Sequence, residues 1–257
     1  MKNKDKLSNV ILPLISIVCI IAVWGSVALA VDNPYLLPTF SQTVSVFFSL
    51  LGKAEFYRVV FGTLARSLIA FIFSFSLALI LALITNRRKV ATKIVAPIIS
   101  IIRVLPTIAV VLLLLVWTDE FIAPILVTFL VVFPTLYLSI KSALDSIDYD
   151  QIEMCKVFGV SNRDILLKVK LPQIYPPILS AIGAGLSLNL KLMVAAEVLA
   201  YTTNSLGNLL QLSKLYDQTA TMMALVLVTV ILGLIIEGVF SLICKKVGKW
   251  QLFLLKT

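Results

Sequence analysis

Residues 153–172 read Glu153-Met154-Cys155-Lys156-Val157-Phe158-Gly159, then nine residues, then Val169-Lys170-Leu171-Pro172. This charged stretch lies between two long apolar blocks of the chain. Gly costs about 1 kcal/mol relative to Ala inside a helix, so Gly159 predicts a break between two short helices over about 148–165. Pro172 predicts the start of another helix, because Pro is tolerated in a first helical turn. Such a segment could insert into a groove of a partner protein; the alternative is an amphipathic loop that rests on lipid headgroups.

The composition surrounding this stretch is that of a membrane protein. Of the 257 residues, 60% are hydrophobic and only 14% are charged, and the mean hydropathy is +1.05. Soluble domains carry about 25% charged residues. The sequence therefore predicts an all-α, polytopic membrane protein with one transmembrane domain over residues 1–257, whose core covers about 60–245.

Six apolar blocks are long enough to cross a membrane. A hydrocarbon layer about 30 Å thick requires roughly 20 apolar residues of helix. The segment between the first two blocks, residues 31–61, has apolar residues spaced by three and four, which favours a short amphipathic helix at the outer interface. The predicted spans are Asn9–Ala30, Gly62–Thr85, Ala91–Trp117, Phe121–Ile140, Leu171–Ala200 and Thr219–Cys244.

The distribution of lysine and arginine predicts the orientation of these spans. Connecting segments on one side hold only Lys53, Arg58, Arg66 and Lys214. Segments on the other side hold the basic groups at 2–6, 87–93, 141–170 and 245–256. Basic loops remain cytoplasmic. We therefore expect a multi-pass protein of the cell (plasma or inner) membrane, with both termini and the 141–171 loop in the cytoplasm.

Several classes of function are not expected from this sequence. The net charge of +9 is spread along the edges of the apolar blocks, which fits topology signals better than a nucleic-acid-binding face. The chain has no histidine and no phosphate-binding loop of the G-x-x-x-x-G-K-[ST] type. Cys19, Cys155 and Cys244 form no closely spaced pair. We expect no metal site, no bound cofactor and no ATP hydrolysis by this chain, so energy for transport would come from a partner or from an ion.

The stretch at 153–172 resembles the signature of permease subunits of ABC-type importers, which reads Glu-Ala-Ala, three residues, Gly, nine residues and Ile-x-Leu-Pro. Met154 and Cys155 replace the two alanines, and Val169 replaces the isoleucine. In that family the stretch forms coupling helices that dock into a cytoplasmic ATPase. The resemblance implies that ATPase coupling involves Glu153, Met154, Cys155, Gly159, Arg163, Leu171 and Pro172.

Two further stretches resemble the sulfonate/nitrate/taurine-type group of these importers. One runs from Arg103 through Pro106 to Ala109, and the other joins Ala196-Glu197 to Ser205-Leu206-Gly207-Asn208. The group often has a second proline in the first stretch, where this chain has Val110–Leu113. It also tends to have an aromatic residue at the position of Lys191.

The candidate residues of a substrate path are Arg103, Pro106, Lys191 and Glu197. A charge inside a membrane costs about 2.5–3.5 kcal/mol on insertion scales, so such residues usually face a cavity or a partner. Lys191 and Glu197 are six residues apart, or about 9 Å along an ideal helix, which disfavours a direct ion pair. The alternative is that both satisfy partners inside the helix bundle.

The resemblance implies a type I ABC importer permease that is not itself an enzyme. It would act as a pair of permeases, presumed identical, with two ATP-binding subunits that hold ATP and Mg²⁺ and with an extracytoplasmic solute-binding protein. Alternating access would import a small polar nutrient, anionic or heterocyclic in character. The rival hypothesis is an ion-coupled secondary transporter that uses Arg103, Lys191 and Glu197 without an ATPase. An intramembrane enzyme is disfavoured because no convergent catalytic set is visible.

Overall fold

The computed structural model describes the backbone of residues 2–254 and the side chains of residues 12, 15, 16 and 18–244. The described backbone is helical, without a strand. A six-residue π-helical segment, Ile165–Lys170, lies between the eighth and ninth α-helices. The α-helices are α1 (Lys2–Val31), α2 (Phe40–Leu51), α3 (Ala54–Arg87), α4 (Lys89–Val104), α5 (Thr107–Trp117), α6 (Ile122–Asp145), α7 (Tyr149–Val157), α8 (Asn162–Asp164), α9 (Leu171–Ala200), α10 (Leu206–Leu215) and α11 (Thr219–Leu254).

Four helices in the described part of the chain are long and apolar enough to cross a membrane. They are α3, α6, the continuous helix Asn162–Ala200 and the Thr219–Cys244 part of α11. Each corresponds to a span predicted from the sequence. The first predicted span, Asn9–Ala30, lies within α1, whose apolar helix is described in full only over Val18–Val31.

The third predicted span, Ala91–Trp117, is not one straight helix. The chain bends by 95° between α4 and α5. Leu105 and Pro106 both have extended backbone dihedrals at this bend. The ring of Pro106 disfavours a helical conformation for the preceding residue and removes a backbone donor. The two halves therefore form either a broken span or a re-entrant pair, and together with the four helices they give up to five spans.

The main core lies where α3 packs against α6, with α9 covering both helices. Small side chains allow this close approach, as is common between helices in membranes. Ala70, Ala78 and Ala82 of α3 are completely buried. On α9, a Cβ atom at Gly185 would lie 2.7 Å from Cδ2 of Leu136. The identity of these small residues thus determines how closely the three helices can pack.

The amphipathic helix expected between the first two spans is present as α2. Thr39 caps its first turn, because its hydroxyl accepts from the Gln42 N–H while the Gln42 side chain accepts from the Thr39 N–H. This reciprocal capping box satisfies two donors that would otherwise be unpaired. Phe47, Leu50 and Leu51 of α2 pack against the cluster formed by α3, α9, α10 and α11.

A buried carboxylate joins three helices at one end of the bundle. Glu197 of α9 is fully buried. Its Oε1 accepts from Nε of Arg66 at 2.8 Å, and its Oε2 accepts from the Thr63 hydroxyl at 2.9 Å and from the Gly207 N–H at 3.4 Å. Arg66 and Thr63 belong to α3, whereas Gly207 lies in the first turn of α10. We call this set, Thr63, Arg66, Glu197 and Gly207, the Glu197 clasp.

The turn between α9 and α10 is shaped to fit this clasp. Tyr201 ends α9 with a φ of +54°, and a Cβ atom at Gly207 would lie 2.4 Å from Cβ of Glu197. Only glycine fits so close an approach. Arg66 also donates to the Asn204 carbonyl at 3.2 Å, and the Leu206 N–H donates to the Thr63 hydroxyl at 2.9 Å. The clasp therefore holds α10 against both α3 and α9.

Replacing Glu197 by Gln should strongly destabilise the protein. The side chain of Arg66 is only 12% exposed, and removing one partner of a buried ion pair costs about 3–5 kcal/mol. Thermal unfolding of the purified protein in detergent measures this loss as a lower melting temperature. The double variant Arg66→Met/Glu197→Gln should recover much of it, because no unpaired charge then remains.

The matched control is Lys141→Met, which breaks the ion pair between Lys141 and Asp145 in successive turns of α6. The Asp145 side chain is 54% exposed, and exposed pairs contribute about 0–1 kcal/mol. If Glu197→Gln unfolds at the same temperature as this control, the clasp has no structural role.

Candidate coupling and translocation sites

The segment predicted to dock on an ATPase begins with a capped helix, α7. The carboxylate of Asp148 accepts from the N–H groups of Asp150 at 3.0 Å and Gln151 at 3.2 Å. A side-chain acceptor at this position satisfies donors that have no partner within the helix. The residue type at 148 thus fixes where α7 starts.

Gly159 ends this helix in the way that the sequence predicts. Its φ is +72°, a value that non-glycine residues adopt at a cost. The Val160 N–H donates to the Cys155 carbonyl and the Gly159 N–H donates to the Lys156 carbonyl, each at 3.0 Å. These two hydrogen bonds form a Schellman motif, which ends α7 with a glycine in the left-handed conformation. The Ser161 hydroxyl then accepts from the Asp164 N–H and starts α8.

The coupling segment presents apolar side chains outside the bundle. Val157 is 84% exposed and Phe158 is 78% exposed. Met154, Glu153 and Arg163 are exposed as well, and Cys155 is half-buried. Single exposed apolar residues are ordinary, whereas a contiguous group marks an interaction surface. We call the exposed side chains of Glu153, Met154, Val157, Phe158 and Arg163 the coupling surface.

The coupling segment is fastened to the base of α9. The Gln173 side chain accepts from the Asp148 N–H at 2.9 Å and donates to the Gln151 side chain at 3.0 Å. Ile152 and Ile165 are buried beneath the coupling surface. Pro172 lies in the first turn of α9 beside the exposed Leu171. Because α8, the π-helical segment and α9 form one helix of 39 residues, the α8 part of the coupling segment continues directly into this transmembrane helix. The α7 part is joined to it by the turn at Gly159 and by the Gln173 hydrogen bonds.

A separate cavity of about 560 Å³ lies between α9, α10 and α11. Most of its wall is apolar, but Lys191, Glu237, Ser187 and Thr229 also line it. The Ser187 hydroxyl donates a hydrogen bond to the Glu237 carboxylate. Lys191 is exposed in the single chain.

The four candidate residues of the substrate path are not brought together. Lys191 lines the cavity, whereas Arg103 and Pro106 lie at the bend between α4 and α5 and do not line it. Glu197 belongs to the clasp, where Arg66 neutralises it, so the alternative of a partner inside the bundle holds for Glu197 with Arg66 rather than Lys191. Sequence reasoning missed Arg66. The orientation argument counts Arg66 among the basic residues of the outer connecting segments, although it lies inside the apolar block Gly62–Thr85, where a charge requires a partner.

The described side chains include no group of three or more residues arranged to hold a metal ion. The three cysteines have free thiols, with Cys19 exposed and Cys155 and Cys244 half-buried. The chemistry of both sites therefore depends on apolar contact, hydrogen bonds and charge.

Comparison with known proteins identifies the family to which this chain belongs. Residues 74–249 match the model of the binding-protein-dependent transport system inner membrane component. A putative ABC transporter permease of Methanocaldococcus jannaschii is 23% identical over 97% of this chain and 94% of its own length. The taurine transport system permease TauC of Escherichia coli is 23% identical over 95% and 90%. A putative aliphatic sulfonates transport permease, SsuC of Bacillus subtilis, is 24% identical over 90% and 84%.

Solved structures share the fold. An inward-facing MetNI methionine ABC transporter superposes with a TM-score of 0.63 at 21% identity, over 75% of this chain and 96% of the other. An amino acid ABC transporter crystallised with histidines gives a TM-score of 0.63 at 19% identity, over 78% and 98%. The chain therefore belongs to the family of binding-protein-dependent transport system inner membrane components, the permease subunits of ABC importers.

Proposed function

We propose that this permease imports a small polar nutrient and that a separate ATP-binding subunit drives it through the coupling surface. The observation that carries this proposal is the exposed apolar group around Val157 and Phe158, which is fastened to α9 through Gln173. A helical element with exposed apolar side chains suits insertion into a groove on a partner. ATP and Mg²⁺ would be bound by that partner and not by this chain.

The long helix Asn162–Ala200 supports alternating access as the mechanism. In this scheme, closure of two ATP-binding subunits draws the coupling surfaces together. The motion of α7 reaches α9 through the Gln173 hydrogen bonds and the turn at Gly159, and α8 continues into α9 as one helix. The bundle would then open outward and receive solute from an extracytoplasmic binding protein.

A second permease copy is part of the proposal. Lys191, Glu237 and Arg103 are all exposed in the single chain, and a charge that faces lipid is unfavourable by about 2.5–3.5 kcal/mol on insertion scales. A homodimer would enclose such groups around a common pathway. The names of the sulfonate and taurine permeases favour a small anionic or otherwise polar solute.

The proposed orientation places both termini and the coupling surface in the cytoplasm of a cell whose plasma or inner membrane holds the protein. The support is the concentration of lysine and arginine on that side. The rival hypothesis, ion-coupled transport without an ATPase, has less support. It would use Glu197 as an exchangeable carboxylate, yet Arg66, Thr63 and Gly207 already occupy both of its oxygens.

Replacing Gly159 by Val should weaken docking of the ATP-binding subunit and thereby lower ATP-driven uptake. A branched side chain is disfavoured at φ +72°, so the end of α7 would rearrange and move the coupling surface. Copurification of the ATP-binding subunit and ATP-driven uptake should both fall by about tenfold or more, while the permease stays in the membrane. Gly159→Asn is the matched control, because Asn tolerates this conformation. Normal uptake with Gly159→Val would contradict the assignment of this turn to coupling.

Introducing a charge at Phe158 tests the coupling surface directly. Phe158→Asp should abolish copurification of the ATP-binding subunit, because a carboxylate cannot enter an apolar groove without a partner. Tyr216→Asp is the control, since Tyr216 is 71% exposed and lies outside the coupling surface. Charge reversal by Glu153→Lys should have an effect in the same direction. Equal copurification from Phe158→Asp and Tyr216→Asp would place the docking surface elsewhere.

Thiol labelling tests the orientation. In a background without Cys19 and Cys244, single cysteines at Ser41, Asp119 and Asp217 should react with a membrane-impermeant reagent in intact cells. All three positions are exposed and lie on the proposed outer side. Native Cys155 should react only after the membrane is permeabilised. Labelling of Cys155 in intact cells would reverse the topology and refute docking from the cytoplasm.

A further inference from the structure

Two opposite charges line the cavity between α9, α10 and α11. Lys191 lies four residues after Ser187, so both side chains project from the same face of α9. Glu237 lines the cavity from α11, and the Ser187 hydroxyl donates to its carboxylate. Of these two residues, only Lys191 was a candidate from the sequence. The structure shows that Glu237, which carries the opposite charge, lines the same cavity.

These two charges do not neutralise each other. Among the side chains that the structure describes, the ion pairs are Arg66–Glu197, Lys141–Asp145 and Lys168–Asp164. Glu197 shows what a closed intramembrane pair looks like, with both carboxylate oxygens occupied and no exposure. Lys191 and Glu237 instead remain exposed within an otherwise apolar wall. Because intramembrane charges are costly and usually mark substrate pathways, a pair held apart points to a ligand between them.

The cavity has room for such a ligand. Its volume of about 560 Å³ falls within the roughly 300–1,000 Å³ typical of small-molecule sites. Gly233 and Ala195 form part of the wall, and a Cβ atom at Gly233 would meet nothing within 4 Å. The apolar remainder of the wall suits a short hydrocarbon skeleton. A few placed polar groups in an apolar wall are the usual composition of a binding pocket.

We propose that Lys191 and Glu237 form a dipolar subsite for a small zwitterionic solute. The ammonium group of Lys191 binds the anionic end, and the carboxylate of Glu237 binds the cationic end. The hydrogen bond from Ser187 orients that carboxylate and leaves its second oxygen for the solute. This inference rests on the proposed import function and narrows its substrate class from polar or anionic to zwitterionic.

The test measures direct binding to the purified complex of permease and ATP-binding subunit in lipid nanodiscs, without a solute-binding protein. Three probes of matched size are used: 3-aminopropanoate as the zwitterion, butanoate as the anion and 3-aminopropanamide as the cation. The zwitterion should bind more tightly than either of the others by about tenfold or more. Lys191→Met should abolish its advantage over the cation, and Glu237→Gln its advantage over the anion. Equal binding of the three probes, or no binding, would overturn the proposal.

Filling the cavity gives a second test that preserves both charges. Gly233→Leu should weaken binding of 3-aminopropanoate by about tenfold or more. Gly238→Leu is the matched control, because its Cβ also meets nothing within 4 Å and Gly238 does not line this cavity. Equal affinities for the two variants would show that the probe binds elsewhere, and would contradict the subsite.

Two controls separate this proposal from simpler explanations. The exchange variant Lys191→Glu/Glu237→Lys keeps both charges and should retain the preference for the zwitterion. If the two residues merely neutralise each other, the single variants lower the melting temperature equally with and without probe, which contradicts a solute subsite. Copurification of the ATP-binding subunit is recorded for every variant. If the ATP-binding subunit does not copurify with the wild-type permease, the import function is refuted. If it copurifies but the complex shows no preference for the zwitterion, only the subsite is refuted.

Discussion

The hydrocarbon interior cannot solvate a charge, and this protein meets that constraint most completely at Glu197. A carboxylate in such a place requires donors from its own chain. Arg66 and Thr63 supply them from α3, and Gly207 supplies one from α10. The position of α10 follows from these bonds. Since Leu210 of α10 forms part of the cavity wall, the shape of the compartment around Lys191 depends on the clasp.

Much of the fold could be predicted from the sequence because the membrane imposes a simple length rule. Apolar blocks of about 20 residues become helices, and four of the predicted spans correspond to long apolar helices of the structure, most of which extend beyond the predicted bounds. The break at Leu105–Pro106 was not predicted. The helices on its two sides together pass the hydropathy test for one span, so a hydropathy window does not detect the break. Pro97 and Pro134 lie inside intact helices, which shows that proline alone does not locate a bend.

The two sites differed in how far sequence reasoning could reach. The coupling segment depends on local signals, the cap at Asp148 and the left-handed Gly159, and such signals can be recognised from neighbouring residues in the sequence. Contacts between distant helices cannot be recognised in this way. Lys191 was singled out for its charge, but whether it met Glu197 or another residue depended on packing that spacing along one helix cannot show. The structure pairs Glu197 with Arg66 and places Lys191 opposite Glu237 in one cavity.

The Glu197 clasp also has a consequence for the synthesis of the protein. Arg66 and Glu197 are 131 residues apart in the chain. At roughly 5–20 residues per second, translation of that distance takes about 7–26 s. During this interval α3 has emerged with Arg66 but without the carboxylate that pairs with it. Insertion of α3 must therefore rely on its own apolar length, or on the insertion machinery, until α9 arrives. The ion pair between Arg66 and Glu197 therefore forms late in assembly, after α3 has already been inserted.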